Sequence, residues 1–162
     1  MTDPTGIGGP VLVVGSGLIG ASVALALVRA GADVLLRDVR AENLAVAVAA
    51  GAGRPVEADD VPVLVVVAVP PRLAPQVLAD VSAEFADATI TDTTSVKESV
   101  LAEAVARGAD PQRLVGGHPM AGREVSGPAG ARADLLDDRL WVLTPLPQSG
   151  VEHVRQAHRL VS

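Results

Sequence analysis

Two short segments of the sequence carry side chains that could hold or move a proton. Ser95 and Lys97 lie in TDTTSVK, and His118 lies in GGHPMAG, where glycines would let a ligand approach. A neutral imidazole can accept a proton, and a hydroxyl nearby can orient the ring or bind substrate. Structural roles are the alternatives. Ser95 is predicted to be a helix N-cap, with Glu98 completing a capping box, and an isolated histidine is often a hydrogen-bonded surface residue.

A third segment, VLVVGSGLIG at 11–20, has the pattern of a dinucleotide-binding turn. Gly15 permits the tight turn, Gly17 lets the backbone approach a pyrophosphate, and Gly20 lets the next helix pack against the strand. The pyrophosphate would lie at the amino end of that helix. An ordinary strand-to-helix turn is the alternative. The predicted cofactor-binding residues of this turn are Gly15, Ser16, Gly17, Leu18, Ile19 and Gly20.

The next predicted strand ends in Asp38, whose carboxylate could accept hydrogen bonds from the adenosine ribose hydroxyls of NAD. The same charge would repel the extra phosphate of NADP, although Arg37 and Arg40 flank it and could turn toward that phosphate. NAD is therefore favoured over NADP. Val69 and Pro70 follow a later apolar strand, and their backbone could pass along the cofactor or simply end the strand.

The elements that must position these residues alternate between strand and helix patterns. Strands are predicted at 11–15, 33–37, 54–56, 63–69, 88–91, 114–116 and 140–144, and helices at 18–30, 41–50, 72–85, 96–107 and 148–161. Such alternation predicts an α/β fold with a doubly wound, mostly parallel sheet of the Rossmann type. Pro71 is predicted to start the third helix. His118 is predicted to lie just after a strand, and a glycine-rich loop is predicted at 122–130.

Composition predicts one domain and narrows the partners. A chain of 162 residues, 49% hydrophobic, can bury a single core, so we assign residues 1–10 to a flexible lead-in and residues 11–162 to a dinucleotide-binding domain. A net charge of −6, one Phe, one Trp and no Tyr argue against nucleic acid. The lack of cysteine excludes disulfides and thiolate metal sites. No metal site, signal peptide or membrane span is predicted, and the expected location is the cytoplasm. His153 and His158 are assigned to a solvated helix face.

The combination of GSGLIG, the VVVAVPP strand, TDTTSVK and GGHPMAGREVSG with the downstream LLDDRLWVLTP resembles the nucleotide-binding half of the prephenate dehydrogenase family. HPMAG together with SVK distinguishes this family from other Rossmann domains. The resemblance implies an NAD(P)-dependent oxidative decarboxylation in tyrosine biosynthesis, acting on prephenate or arogenate. It also implies that His118 accepts the proton of the substrate hydroxyl while Ser95 hydrogen-bonds to the histidine or the substrate.

The resemblance makes Lys97, Arg123 and Glu124 candidate substrate contacts, although the last two could equally be exposed loop charges. One position departs from the family pattern. The residue before the serine is usually glycine and is Thr94 here, where a Cβ could alter the fit of the cofactor or shift Ser95.

Family members also carry a second, mostly helical domain, which supplies the homodimer interface and an arginine for a substrate carboxylate. That domain is expected to be absent from this sequence, which ends at Ser162. We therefore expect this chain to bind dinucleotide with little turnover alone. Two alternatives stay open. One is another oxidoreductase, of the 6-phosphogluconate or pyrroline-carboxylate reductase type, and the other is a non-catalytic nucleotide-binding domain.

Overall fold

Short apolar strands and helices alternate along the chain, which we describe from a computed structural model covering residues 3–121 and 126–162. The strands are β1 (Val11–Val14), β2 (Val34–Arg37), β3 (Arg54–Pro55), β4 (Leu64–Val67), β5 (Thr89–Asp92), β6 (Leu114–Pro119) and β7 (Trp141–Pro145). The helices are α1 (Leu18–Arg29), α2 (Ala41–Ala49), α3 (Ala74–Glu84), α4 (Glu98–Ala106) and α5 (Val151–Val161), with a 3₁₀ turn at Pro128–Gly130.

The strands form one sheet in the order β3-β2-β1-β4-β5-β6-β7. Strands β1 to β6 pair in parallel, and β7 pairs antiparallel with β6 at the edge. The strand order reverses between β1 and β4, and a Rossmann sheet opens its ligand crevice at the carboxyl ends of the strands at this point. The predicted fold class, a doubly wound and mostly parallel α/β sheet, is confirmed.

Each face of the sheet has its own apolar core. Leu12 and Val65 point to one face and pack in a cluster with α3 and α4, while Val13 and Val66 point to the other and pack with α1 and α2. All four side chains are fully buried. Burial on both faces explains why β1 and β4 are continuous apolar runs instead of alternating patterns.

The start of α3 differs from the prediction. The helix begins at Ala74, so Pro71 does not start it, and Pro75 occupies its first turn. Leu73 and Ala74 donate backbone hydrogen bonds to the carbonyl of Pro70, forming a turn between β4 and the helix. Proline is tolerated in a first turn because its missing N–H would have no partner there, and Pro75 fills this role.

Strand β6 is longer than predicted and contains His118 instead of ending before it. The reason is the antiparallel edge strand, because β7 pairs with residues 115–119, with His118 opposite Val142. On α5, His158 is exposed as predicted, but His153 is half-buried, and its Nδ1 lies 2.7 Å from the Thr89 hydroxyl. Assigning His153 to a solvated face is therefore wrong. Among the described residues, no helix has the length and hydropathy of a membrane span.

Candidate active site

The glycine-rich turn after β1 is built by two glycines that the protein itself requires. Gly15 has φ +95°, and a Cβ there would lie 2.4 Å from the carbonyl oxygen of Ala68. A Cβ on Gly20 would lie 1.8 Å from the carbonyl oxygen of Gly15. Both contacts are with backbone atoms that cannot move without displacing β1 or the turn after β4. The two glycines thus allow α1 to pack closely on the turn.

Gly17 is different, because no described heavy atom lies within 4 Å of the position its Cβ would take. It is the N-cap residue of α1, and no described side chain caps that helix end. An open backbone beside an uncapped helix N-terminus is the arrangement that binds a phosphate group. The turn therefore fits the pyrophosphate of a dinucleotide at Gly17.

Asp38 follows β2 and ties the turn to it. Its Oδ2 accepts hydrogen bonds from the Ser16 backbone N–H at 2.7 Å and the Ser16 hydroxyl at 2.8 Å, and its Oδ1 accepts one from the Arg40 N–H at 2.8 Å. A carboxylate offers about four acceptor positions, so one remains on Oδ1. Asp38 is half-buried and can hold the turn while still accepting a hydrogen bond from a ligand hydroxyl.

Arg37, beside Asp38, is held away from it by a bidentate ion pair. Its guanidinium donates to the two carboxylate oxygens of Glu84 at 2.7 and 2.8 Å and lies 5.6 Å from the centre of the Phe85 ring. The pKa of Glu84 is lowered, first of all by the hydrogen bond from Arg37. Arg37 therefore has to break this pair before it can reach a phosphate on the ribose.

A cleft of about 470 Å³ opens at the carboxyl ends of the strands. Its lining brings together seven of the predicted site residues: Gly17, Leu18, Ile19, Val69, Pro70, Ser95 and His118. It also includes Thr93, Thr94, Pro119 and Ala121, which continue the predicted segments, and Ser126 and Gly127, which end the GGHPMAGREVSG segment but were not predicted as site residues. Gly15, Ser16, Gly20, Asp38 and Lys97 lie outside the lining. Arg123 and Glu124 lie outside the described residues.

Ser95 is exposed on the rim of this cleft and is not a helix cap. Helix α4 starts at Glu98, its N-cap residue is Lys97, and no described side chain makes a capping hydrogen bond. The predicted capping box is therefore wrong. The turn preceding α4 is held instead by Thr94, whose hydroxyl lies 2.5 Å from Asp92 Oδ2 and 3.1 Å from the carbonyl oxygen of Val96. Ser95 is left available to the cleft.

Asp92, at the end of β5, is the residue that the sequence analysis missed. It is fully buried, and its Oδ1 accepts the Gly117 N–H at 3.0 Å. Its Oδ2 accepts the Thr94 N–H at 3.1 Å and forms an ion pair with Lys97. The sequence signals were indirect: Asp92 lies within the TDTTSVK segment, and Lys97 is the single lysine among thirteen basic residues.

Lys97 is half-buried, and its Nζ donates both to Asp92 and to the carbonyl oxygen of Gly117, the latter at 2.7 Å. Burial lowers the pKa of Lys97, while the charge of Asp92 raises it. Its ammonium thus lies beneath the cleft, on the residue before His118. Thr94 is also buried, and its hydroxyl turns toward Asp92, so this departure from the family's glycine adds a hydrogen bond to the same carboxylate.

Comparison with protein families identifies a family that this chain matches over most of its length. Residues 23–162 match the family model described as the nucleotide-binding domain of prephenate dehydrogenase. A probable prephenate dehydrogenase of Streptomyces niveus is 38% identical over 151 residues, which are 93% of this chain and 42% of that protein. The chain therefore spans about two fifths of the length of the curated relatives that it matches.

Solved structures agree with this match. A prephenate dehydrogenase of A. aeolicus, in complex with hydroxyphenyl propionate and NAD⁺, superposes with a TM-score of 0.84 at 29% identity, over 94% of this chain and 56% of that chain. An arogenate dehydrogenase of Synechocystis superposes with a TM-score of 0.83 at 26% identity, over 94% of this chain and 55% of that chain. Both similarities extend over almost the whole chain.

Proposed function

The chain belongs to the prephenate dehydrogenase family, as its nucleotide-binding domain, and we propose that it binds NAD and carries the proton-accepting residue of a prephenate or arogenate dehydrogenase. The reaction would be an oxidative decarboxylation on the route to tyrosine. The cytoplasmic location stays a prediction from the sequence.

One observation carries this proposal. The same cleft is lined by Gly17 at the amino end of α1, by Val69 and Pro70 after β4, and by Ser95 and His118. A dinucleotide with its pyrophosphate at Gly17 would extend along Val69 and Pro70 toward the histidine. The cofactor and the proton acceptor would then share one side of the substrate.

Two side chains of this chain would act in the chemistry, together with the bound cofactor. His118, in its neutral form, would accept the proton of the substrate hydroxyl as the C–H bond on the same carbon breaks. Ser95 would accept a hydrogen bond from the N–H of the histidine ring, or would hydrogen-bond to the substrate, and so fix their relative orientation. The nicotinamide, when bound, accepts the hydride. Carbon dioxide leaves in the same conversion, and the ring of prephenate becomes aromatic, which makes the overall reaction strongly favourable.

The substrate contacts proposed for Lys97, Arg123 and Glu124 have unequal support. The Lys97 ammonium is hydrogen-bonded to the fully buried Asp92 and to the Gly117 carbonyl. These contacts favour a role in holding the protein beneath the cleft over a direct contact with substrate. Arg123 and Glu124 stay predictions from the sequence. Because the chain covers about two fifths of its curated relatives, the choice between prephenate and arogenate and the homodimer interface are likewise proposals.

The first test is a calorimetric titration of the chain with NAD⁺ and with NADP⁺. We expect micromolar binding of NAD⁺ and weaker binding of NADP⁺, because the Asp38 carboxylate favours ribose hydroxyls over a phosphate. Asp38→Ser should weaken the binding of NAD⁺ and reduce the difference in affinity between NAD⁺ and NADP⁺. The matched control is Asp33→Ser, which removes an exposed carboxylate just before the same strand. Thermal melting of both variants separates a lost ligand contact from a loosened turn.

The second test addresses catalysis. In protein that turns over substrate, His118→Asn should lower the rate of substrate-dependent NADH formation by about 10²- to 10⁴-fold, the range for loss of a general base. His158→Asn, on the exposed face of α5, is the control and should have no effect. Unchanged turnover in His118→Asn would favour the non-catalytic reading or a different base. Turnover with a 6-phosphogluconate or pyrroline-carboxylate substrate, and none with prephenate or arogenate, would favour the other oxidoreductases.

A further inference from the structure

We propose that Lys97 and Asp92 are a positioning pair that sets the place of His118 relative to Ser95 from beneath the cleft. The inference rests on the proposed function, since it assigns a task to the two residues that would touch the substrate. It differs from the substrate contact predicted for Lys97, because the lysine would act through the backbone of β6.

The first argument is the way β5 and β6 separate. Their register pairs Ile90 with Leu114 and Thr91 with Val115, and β5 then ends at Asp92 while β6 continues to Pro119. Gly117 therefore lies beyond the paired part of β5. Its N–H is accepted by the Asp92 carboxylate, and its carbonyl accepts from the Lys97 ammonium. Two side chains thus replace the missing strand on this side of β6, one residue before His118.

The second argument is the other arm of the same carboxylate. Asp92 Oδ2 accepts both the backbone N–H and the hydroxyl of Thr94, the residue preceding Ser95. A single buried group is therefore bonded to the neighbour of each proposed catalytic residue. A shift of Asp92 would move the two segments relative to each other, which is what a positioning residue controls.

The third argument is that the lysine holds the carboxylate in place. A fully buried carboxylate is costly unless it is paired and hydrogen-bonded, and Lys97 is the cationic partner of Asp92. The ammonium also reaches across to β6, so removing it would release Gly117 and leave Asp92 without its counter-charge. Arginine at this position would keep the charge but, with a larger planar head, would restore the contacts only partly.

The experiment follows His118 directly. In the isotopically labelled chain, the three histidines should give separate ring signals, and the set lost in His118→Asn and the set lost in His153→Gln assign these two residues. The variants are Lys97→Met, Lys97→Arg and, as a charge-neutral pair that leaves no buried unpaired ion, Lys97→Met with Asp92→Asn. Arg107→Met is the matched control, because it removes the cation of an exposed ion pair, with Glu103, at the other end of the same helix.

We expect Lys97→Met and the double variant to raise hydrogen exchange at the Gly117 amide by about tenfold or more and to shift the ring signals of His118. The signals of His153 should stay, Lys97→Arg should restore part of the effect, and Arg107→Met should be silent. In protein that turns over substrate, kcat should fall by about 10- to 100-fold with KM nearly unchanged.

Unchanged Gly117 exchange and unchanged His118 ring signals in folded Lys97→Met or in the folded double variant would overturn the inference. A loss of stability with His118 undisturbed would also overturn it, since that is the result of a purely structural ion pair. Failure of the proposed function has a different signature, in which His118→Asn leaves turnover intact whatever the lysine variants do.

Discussion

The two sides of the cleft are built in different ways. On the α1 side, the turn at 15–20 is shaped by backbone contacts that glycine permits, and it is braced by one carboxylate, Asp38. On the β6 side, the backbone is held by a buried ion pair and the hydrogen bonds around it. The first side needs small residues at fixed spacing, whereas the second needs a charge and its partner at a distance in sequence. Substitutions on the α1 side should therefore be harmful because of steric clashes. Those on the β6 side should be harmful because they remove a charge or displace a hydrogen-bonded group.

The largest expected effect is steric and lies on the α1 side. Gly20→Ala places a Cβ 1.8 Å from the Gly15 carbonyl oxygen, and neither backbone segment can yield without moving α1. We expect a net loss of about 3 kcal/mol in the free energy of unfolding. In a helix position without this clash, replacing glycine with alanine usually gains about 1 kcal/mol instead. Urea denaturation measures the difference. A variant as stable as the parent would mean that α1 does not pack on the turn as described.

Gly117→Ala tests the same steric limit on the β6 side. Its Cβ would lie 2.6 Å from the Asp92 carbonyl oxygen and 2.9 Å from Trp141 Nε1, so we expect a cost of about 2 kcal/mol in urea denaturation. The comparison variant is Gly116→Ala, whose closest contact, at 2.8 Å, is a methyl group of the flexible Leu101 side chain. A larger cost at Gly116 than at Gly117 would contradict this account.

On the α1 side, Gly17→Ala distinguishes an effect on cofactor binding from an effect on the stability of the fold. The residue has φ −74°, which alanine adopts freely, and no described atom lies near the added methyl group. The melting temperature should therefore stay close to that of the parent, while the Kd for NAD⁺ should rise by about tenfold or more, or about 1.4 kcal/mol, because the methyl group would occupy the place of the pyrophosphate. Equal affinity by calorimetry would move the pyrophosphate away from Gly17.

The difference between the two sides also explains how far the sequence could be read. The glycine turn and Asp38 could be predicted because a local spacing of three and a strand end determine them. Strand alternation was equally visible, since burial on both faces gives continuous apolar runs. These predictions depend on residues that are near one another in the chain, or on a periodic pattern within one element.

The β6 side could be predicted only in part. Ser95 and His118 were predicted as site residues from their residue types, their positions at strand ends and the family resemblance, but the link between them runs through Asp92, which contacts Gly117, twenty-five residues later. No local pattern encodes such a contact. The antiparallel partner that extends β6 past His118 also lies more than twenty residues further on. The lost capping box shows that one local signal can be overridden by another, here the hydrogen bond of the Thr94 hydroxyl to Asp92, two residues earlier.

Glu84→Ala should change cofactor choice on the α1 side by a few-fold. Glu84 now holds the Arg37 guanidinium through two hydrogen bonds, so its removal frees a cation beside Asp38 for the extra phosphate of NADP. We expect the Kd for NADP⁺ to fall about threefold relative to that for NAD⁺, less than 1 kcal/mol. Glu103→Ala is the control, because it removes an equally exposed carboxylate paired with Arg107. The same shift in both variants would point to net charge alone.

The smallest expected effect is on the pH dependence of stability. It arises at the opposite end of β5, where the Thr89 hydroxyl lies 2.7 Å from Nδ1 of His153. Burial lowers the pKa of His153, and the nearby Arg113 lowers it further, while Asp110 and Glu152 act in the opposite direction. Because the folded protein binds this proton less readily than the unfolded chain, the stabilising contribution of neutral His153 is complete above about pH 6.5. It is lost as the pH falls from there through the lowered folded value.

His153→Gln should remove this slope. Denaturation curves collected between pH 7.5 and pH 5.5 should show the parent losing stability relative to the variant, by less than about 1 kcal/mol, while His158→Gln, on the exposed face, should follow the parent. A parent that gains stability relative to His153→Gln on acidification would mean that Asp110 and Glu152 outweigh burial. The folded protein would then bind the charged form of His153 more readily than the unfolded chain does. That is the reverse of what the burial of His153 predicts.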